Sequence, residues 1–318
     1  MRFLTLTLHP AVDRIVDIER LRPGALLDGR LRAIVPAGKG VNTARSLRGL
    51  AGPRARIEAA AWLGRGEVAF AALALRAEKI ALRACPREAL TRVCTTYLER
   101  DGRETHIKER MVPPTRAEAA ALVRFAARLP LVGACMAVCG SAPPGTDAKT
   151  LRAVLQALRA RAGWLMADTN GAFLEAAARA GLDGLKGNAK EIGAWLKLRS
   201  AFDPARAADV KRLRAAMRQR GGPRCVLVTL GAAGAALASR DRLWTAKPPA
   251  LGGRKPASAT GCGDAATAGW LWAVAHGEDP AGALAWAVAC GTAKLASADP
   301  GGLDGRLARR LREKVRCL

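Results

Sequence analysis

The stretch Thr260-Gly261-Cys262-Gly263-Asp264 places two glycines and an aspartate at the mouth of an apolar helical run, AATAGWLWAVA. Glycines at a helix start leave backbone N–H groups facing open space, where they and the helix dipole form an anion site. An aspartate in the same turn can accept the proton of an incoming hydroxyl while the amides hold the charge that spreads over a transferring phosphoryl group. A tight turn whose acid merely favours the helix dipole is spelled the same way. Two further strings invite chemistry. Asn188 and Glu191, in KGNAKE, have the spacing of a capping box. Thr229, Gly231 and Gly234, in VTLGAAGA, follow an apolar run, where small residues either let a backbone approach a ligand or simply turn the chain.

The elements that must position these residues follow an α/β pattern. Phe3 to Leu8 reads as a strand ended by His9-Pro10, and VNTARSLRGL as a helix stopped by Gly52-Pro53. From Pro114 onward the alternation is regular: a helix over 116–128, the strand ACMAVCG, a helix after Thr146, the strand WLMAD, helices from Ala172 and Ala189, a helix over 205–218 and the strand CVLVTL. Two apolar helices near 264–275 and 280–296 precede an amphipathic terminal helix over 305–318. Alternation of this kind predicts a parallel sheet with helices on both faces, in a single domain over 1–318. Two β-rich stretches, 12–35 and 91–110, break the alternation and predict a small β lid at one edge. Asp101-Gly102 in the second predicts a hairpin with a type I′ turn.

TLHPAVD, AGKGVNTAR, CGSAPPG, KGNAKE, VTLGAAGA and TGCGDAATAG stand in the order and spacing found in the PfkB family of carbohydrate kinases, over roughly residues 3 to 300. Within that family the chain most resembles the branch containing 1-phosphofructokinase and tagatose-6-phosphate kinase. The resemblance implies a ribokinase-like, Rossmann-type three-layer α/β/α sandwich with a small β-sheet lid, in agreement with the two β insertions. By motif, Asp264 corresponds to the family's catalytic base, and Gly261, Cys262 and Gly263 to its anion hole. Asn188 and Glu191 correspond to the motif that orders Mg2+ and phosphate through water, and Thr229, Gly231 and Gly234 to the ATP-side loop. For the acceptor, Asp13 corresponds to the residue that binds sugar hydroxyls, Gly38, Lys39 and Asn42 to the substrate loop, and Arg92 to the residue used on the substrate's existing phosphate. Arg suits that task because its planar fork pairs two phosphate oxygens. Ser141 either faces the substrate or serves the turn in CGSAPPG.

The chain departs from the family pattern at several places. Ala37 stands for a usual glycine, Cys262 for a usual alanine, and Gly187 for a usual proline, which predicts a looser loop there. In the second lid strand Thr105-His106-Ile107-Lys108-Glu109 replaces Thr-Glu-Ile-Asn-Glu, so Lys108 either points into the cleft and alters the choice of sugar or faces solvent.

The resemblance implies an ATP-dependent sugar-phosphate kinase using Mg2+, acting first of all on fructose 1-phosphate to give fructose 1,6-bisphosphate. Tagatose 6-phosphate, fructose 6-phosphate or another sugar or nucleoside are the alternative acceptors. A different class is a non-catalytic relative that binds a polyanion, suggested by 52 Lys and Arg against 27 Asp and Glu, a formal net charge of +25. Arginine is nevertheless spread along the chain with acids between, unlike the concentrated arm or helix face of a nucleic-acid binder. Only the tail is concentrated, with six basic residues and one acid from Gly305 to Leu318. The eight cysteines are scattered and read as reduced thiols, not metal ligands. No apolar run reaches a membrane span and the N-terminus lacks a signal-like region, so a cytoplasmic location is expected. By resemblance, a homodimer through the lid is expected too.

Overall fold

The computed structural model describes residues 1–318. Along the chain run β1 (Arg2–Thr7), β2 (Ala11–Ile18), β3 (Gly29–Ala37), α1 (Lys39–Ala51), β4 (Arg56–Gly64), α2 (Val68–Ala77), β5 (Ala81–Arg87), β6 (Val93–Glu99) and β7 (Glu104–Lys108). There follow α3 (Arg116–Arg128), β8 (Ala134–Cys139), α4 (Ala148–Arg159), β9 (Trp164–Asp168), α5 (Gly171–Ala177), β10 (Gly184–Asn188), α6 (Ala189–Trp195), α7 (Ala207–Arg218) and β11 (Cys225–Thr229). The last are β12 (Ala235–Ser239), β13 (Leu243–Ala246), α8 (Cys262–Ala275), α9 (Pro280–Lys294) and α10 (Gly305–Lys314).

Nine strands form one sheet in the order β13-β12-β11-β10-β9-β8-β1-β4-β5. The seven strands from β11 to β5 in that order run parallel, and the largely apolar β1, β4, β8 and β11 reflect burial on both faces. One face is covered by α1, α8, α9 and α10, whose Val41, Leu47, Leu271, Leu284 and Leu311 share a core with Phe3 and Ile57. The other is covered by α3 to α7, with Leu122, Leu155, Phe173, Ile192 and Leu213 packed on Leu4, Leu6 and Val138. Helix starts agree with local chemistry: Thr115 and Glu118 form a capping box on α3, and Asp147, Asp279 and Asp304 cap α4, α9 and α10. α8 is apolar on every side because it lies between α1 and α9.

The other sheet, β3-β2-β6-β7, is the expected lid. Three details differ from the sequence expectation. The large sheet is not wholly parallel, since β12 and β13 return antiparallel at its edge. The lid hairpin is closed by Gly102 N donating to Glu99 O at 2.9 Å and Glu99 N donating to Arg103 O at 2.9 Å. Only Gly102 takes positive φ there, so the turn is type I with a glycine bulge and not type I′. Finally, the terminal helix ends at Lys314. Leu318 exchanges two hydrogen bonds with Thr245, at 2.9 and 3.0 Å, and so covers part of the β13 edge. No helix is long and apolar enough to cross a membrane.

Candidate active site

The parallel strands end together at one edge of the sheet, the usual place for ligands in open α/β folds. β9 delivers Asp168 there and β10 delivers Lys186, both buried, while the first turn of α8 delivers Asp264. Gly261 caps α8 in a left-handed conformation at φ 86°, where a side chain would also collide with the Pro300 carbonyl. No side chain caps the helix, which leaves its N-terminal amides available to an anion. Gly263 faces the Lys186 ammonium, which lies 3.4 Å from where a Cβ would stand. Cys262 is half-buried and its thiol is pushed up first by burial.

Asn42 on α1 donates from Nδ2 to Asp264 Oδ2 at 3.0 Å, and its own Oδ1 has no partner. Burial first, then the neighbouring Asp168 charge, raises the Asp264 carboxyl to about 6 against the opposing pull of Asn42, Lys39 and Lys186. Asp168 goes the other way. Burial alone would raise it, but Lys186 at 2.8 Å, Lys39 at 3.4 Å and the Thr267 hydroxyl at 2.7 Å bring it down to about 2. The surroundings thus push the two carboxylates apart, one toward neutrality and one toward its charged form. Lys39 is held above its usual range, first by Asp168, then by Glu191 and Asp264. It therefore stands between the substrate loop and the helix terminus rather than in the loop alone.

Asn188 and Glu191 do form a capping box on α6: Asn188 N donates to Glu191 Oε2 at 2.8 Å and Glu191 N donates to Asn188 Oδ1 at 2.9 Å. The box leaves Glu191 Oε1 and Asn188 Nδ2 for other partners. One carboxylate oxygen and one amide are a donor set that could meet a hydrated magnesium ion only through its waters. Gly187 is not the looser loop expected from the missing proline. It is a buried strand residue paired with Val228, and a Cβ there would press on Ile192. Thr229 ends β11 at this edge. Gly231 and Gly234, both at positive φ, shape the turn to β12, and at Gly234 a Cβ would strike the Ala246 carbonyl.

On the lid side, Gly38 caps α1 at φ 114° tight against Thr7 and Pro10. Arg92 donates to the Pro10 carbonyl at 3.2 Å and the His9 carbonyl at 3.3 Å, and His9 Nδ1 pairs with Ser141 Oγ at 2.9 Å. Asp13, Cys94 and Lys108 stand opposite one another across three lid strands, and therefore on one face, with Thr96 and His106 in the next such row. Lys108 thus shares the face of Asp13. Burial raises the Asp13 carboxyl to about 6, while Arg92 and then Lys108 oppose the rise.

Sequence reasoning overlooked Asp168, Lys186, Thr267 and His9. The first two lie inside quoted or recognised strand strings, and charged residues within apolar strands were the available signal. His9 is lowered to about 4 by burial, then by Arg92 and Arg87.

A helix-covered sheet with a β lid beside the C-terminal ends of its strands is a ribokinase-like architecture. A family model described as pfkB family carbohydrate kinase matches residues 10–302. The chain belongs to that family. It is 31% identical over 282 residues to a 1-phosphofructokinase of Xanthomonas campestris, covering 85% of this chain and 83% of the relative. It is 25% identical over 307 residues to the 1-phosphofructokinase of Escherichia coli, covering 95% and 94%. Among solved structures, phosphofructokinase-2 of Escherichia coli in complex with fructose 6-phosphate superposes with a TM-score of 0.84 over 98% of both chains at 22% identity.

Proposed function

We propose that the protein transfers the γ-phosphoryl group of ATP to a hydroxyl of a phosphorylated ketohexose, with fructose 1-phosphate as the acceptor and fructose 1,6-bisphosphate as the product. The observation that carries the reading is the Asp264 carboxylate, raised to about 6 and held at the open N-terminus of α8. A base poised there takes the acceptor's proton near neutral pH, and the amides of Gly261, Cys262 and Gly263 stabilise the charge on the transferring group. Asn42 fixes the base through Nδ2 and offers Oδ1 to a sugar hydroxyl. Asp13 binds a further hydroxyl, while Gly38 lets the backbone of the substrate loop come close. Arg92, anchored on the His9-Pro10 carbonyls, holds the existing phosphate together with Ser141.

Lys39 and Lys186 bring positive charge toward the transferred phosphate, balanced by Asp168 when the site is empty. Magnesium, held through water by Glu191 and Asn188, would neutralise the nucleotide's phosphates. Thr229, Gly231 and Gly234 form the nucleotide-side turn. Lys108 sits where a tagatose or fructose 6-phosphate could be discriminated, since it adds a cation to the face of Asp13.

Support comes from the two relatives named 1-phosphofructokinase. The test is ADP release with Mg-ATP against fructose 1-phosphate, fructose 6-phosphate, tagatose 6-phosphate, fructose, ribose and adenosine. Preference for fructose 1-phosphate is expected; equal or better turnover of another acceptor would overturn the assignment. Retention on a polyanion resin that falls steeply with salt, in a protein without kinase activity, would instead support the polyanion-binding reading.

A further inference from the structure

Lys294, at the end of α9, is wholly buried, forms no salt bridge and makes one hydrogen bond, from Nζ to the Ser297 carbonyl at 2.8 Å. An ammonium taken out of water without a carboxylate partner is costly, so its position calls for a reason. Its side chain touches the cap of α8: Cε lies 3.2 Å from where a Cβ of Gly261 would stand, next to the Pro300 carbonyl that crowds the same point. The segment from Leu295 to Gly302 is a strap tied on several sides. Arg45 of α1 grips Asp299 with two bonds of 2.7 and 2.8 Å, Ser46 donates to the Gly301 carbonyl at 3.2 Å, and Ala257 N donates to the Leu295 carbonyl at 2.6 Å. Because Asp299 is engaged by Arg45, the Lys294 charge is left with the Ser297 carbonyl and the nearby Gly261-Cys262 turn. Its electrostatic neighbours are Cys262, Asp299 and Asp264.

We infer that Lys294 is a positioning residue, a cation built into the chain beneath the anion-hole turn that ties the strap at the Ser297 carbonyl and keeps the Gly261–Gly263 amides aimed at the phosphoryl group. The effect on turnover rests on the phosphotransfer reading above; the geometry does not. If a fixed ammonium does this work, a small monovalent cation can replace it once the side chain is gone, and the unaltered protein needs none.

Lys294→Met keeps most of the stem and removes the charge. It is expected to lower kcat by about 10- to 100-fold, less than the roughly 10²- to 10³-fold typical for loss of an anion-hole donor itself because the amides remain and only their support is lost, with KM for both substrates nearly unchanged. Added ammonium or potassium chloride, but not tetramethylammonium chloride, is expected to restore most of that loss, while the wild type responds to none of them. Full turnover in Lys294→Met, a loss that no small cation restores, or a wild type that itself requires potassium would each overturn the inference. A second readout does not depend on turnover. Removing the nearby positive charge raises the Cys262 thiol further, so its alkylation by iodoacetamide at pH 8, followed on the Cys262 peptide by mass spectrometry, slows in Lys294→Met. Ammonium restores that rate too. Unchanged alkylation refutes the placement of the charge. Slowed alkylation in a protein that phosphorylates no acceptor would leave Lys294 in place and sink the kinase assignment instead. Thermal melting of the variant guards against simple unfolding.

Discussion

Replacing Asp264 by Asn should make the protein both inactive and more stable. In the unfolded chain the carboxyl ionises at its ordinary 3.8, whereas in the fold burial and Asp168 raise it to about 6. The fold therefore prefers the protonated acid. Its contribution to stability is fully present below pH 4 and is lost as pH rises through 6, so that holding the carboxylate ionised at pH 8 costs about 3 kcal/mol. At pH 5 the cost is about half of that. Asn keeps an oxygen for Asn42 to donate to and removes the charge, which predicts a melting temperature about 4–6 °C above wild type at pH 8, with a clearly smaller difference at pH 5. Differential scanning calorimetry on the two proteins at both pH values measures this, and the same samples should show kcat reduced by about 10²- to 10⁴-fold. A variant that melts below wild type at pH 8, or a difference that ignores pH, would refute the reasoning that the site stores an unfavourable charge.

Because Asp13 and Asp264 both titrate near 6, log kcat/KM should fall below pH 6 with a slope approaching two, and Asp13→Asn should reduce the slope to one; a single-proton profile in wild type would contradict this. Asp168→Asn strands Lys186 in a buried site and should cost about 3–5 kcal/mol, read as a lower urea midpoint, while lowering the apparent acid limb by removing a like charge from Asp264. Arg92→Ala should raise KM for the sugar phosphate by about 10- to 100-fold, the worth of a charge-assisted hydrogen bond, and leave KM for ATP unaltered; equal effects on both substrates would remove Arg92 from the acceptor site.

The parts of the fold visible in the sequence were those written in local chemistry. The capping box at Asn188 and Glu191, the glycine turn before Asp264 and the β character of the lid depend on neighbours a few residues apart, and each has a short signature. The buried charge network was not legible, because Asp168 meets Lys39, Lys186 and Thr267 only through the register of distant elements. Periodicity showed that 305–318 was amphipathic but not that its last residues leave the helix, since what draws Leu318 away is the open edge of β13. The lid turn was misread for a related reason. Asp-Gly suits two turn geometries, and the register between Leu98 and Glu104 selects the bulged one.

The hydrogen bond between Asn42 and Asp264 spans 222 positions of sequence. At a synthesis rate of about 5–20 residues per second, the first partner is made about 10–45 s before the second. Throughout that interval the face of α1 carrying Val41, Ala44 and Leu47 lacks the helix that will cover it. The order of manufacture thus leaves an apolar surface of α1 waiting on the growing chain for a partner made more than two hundred residues later.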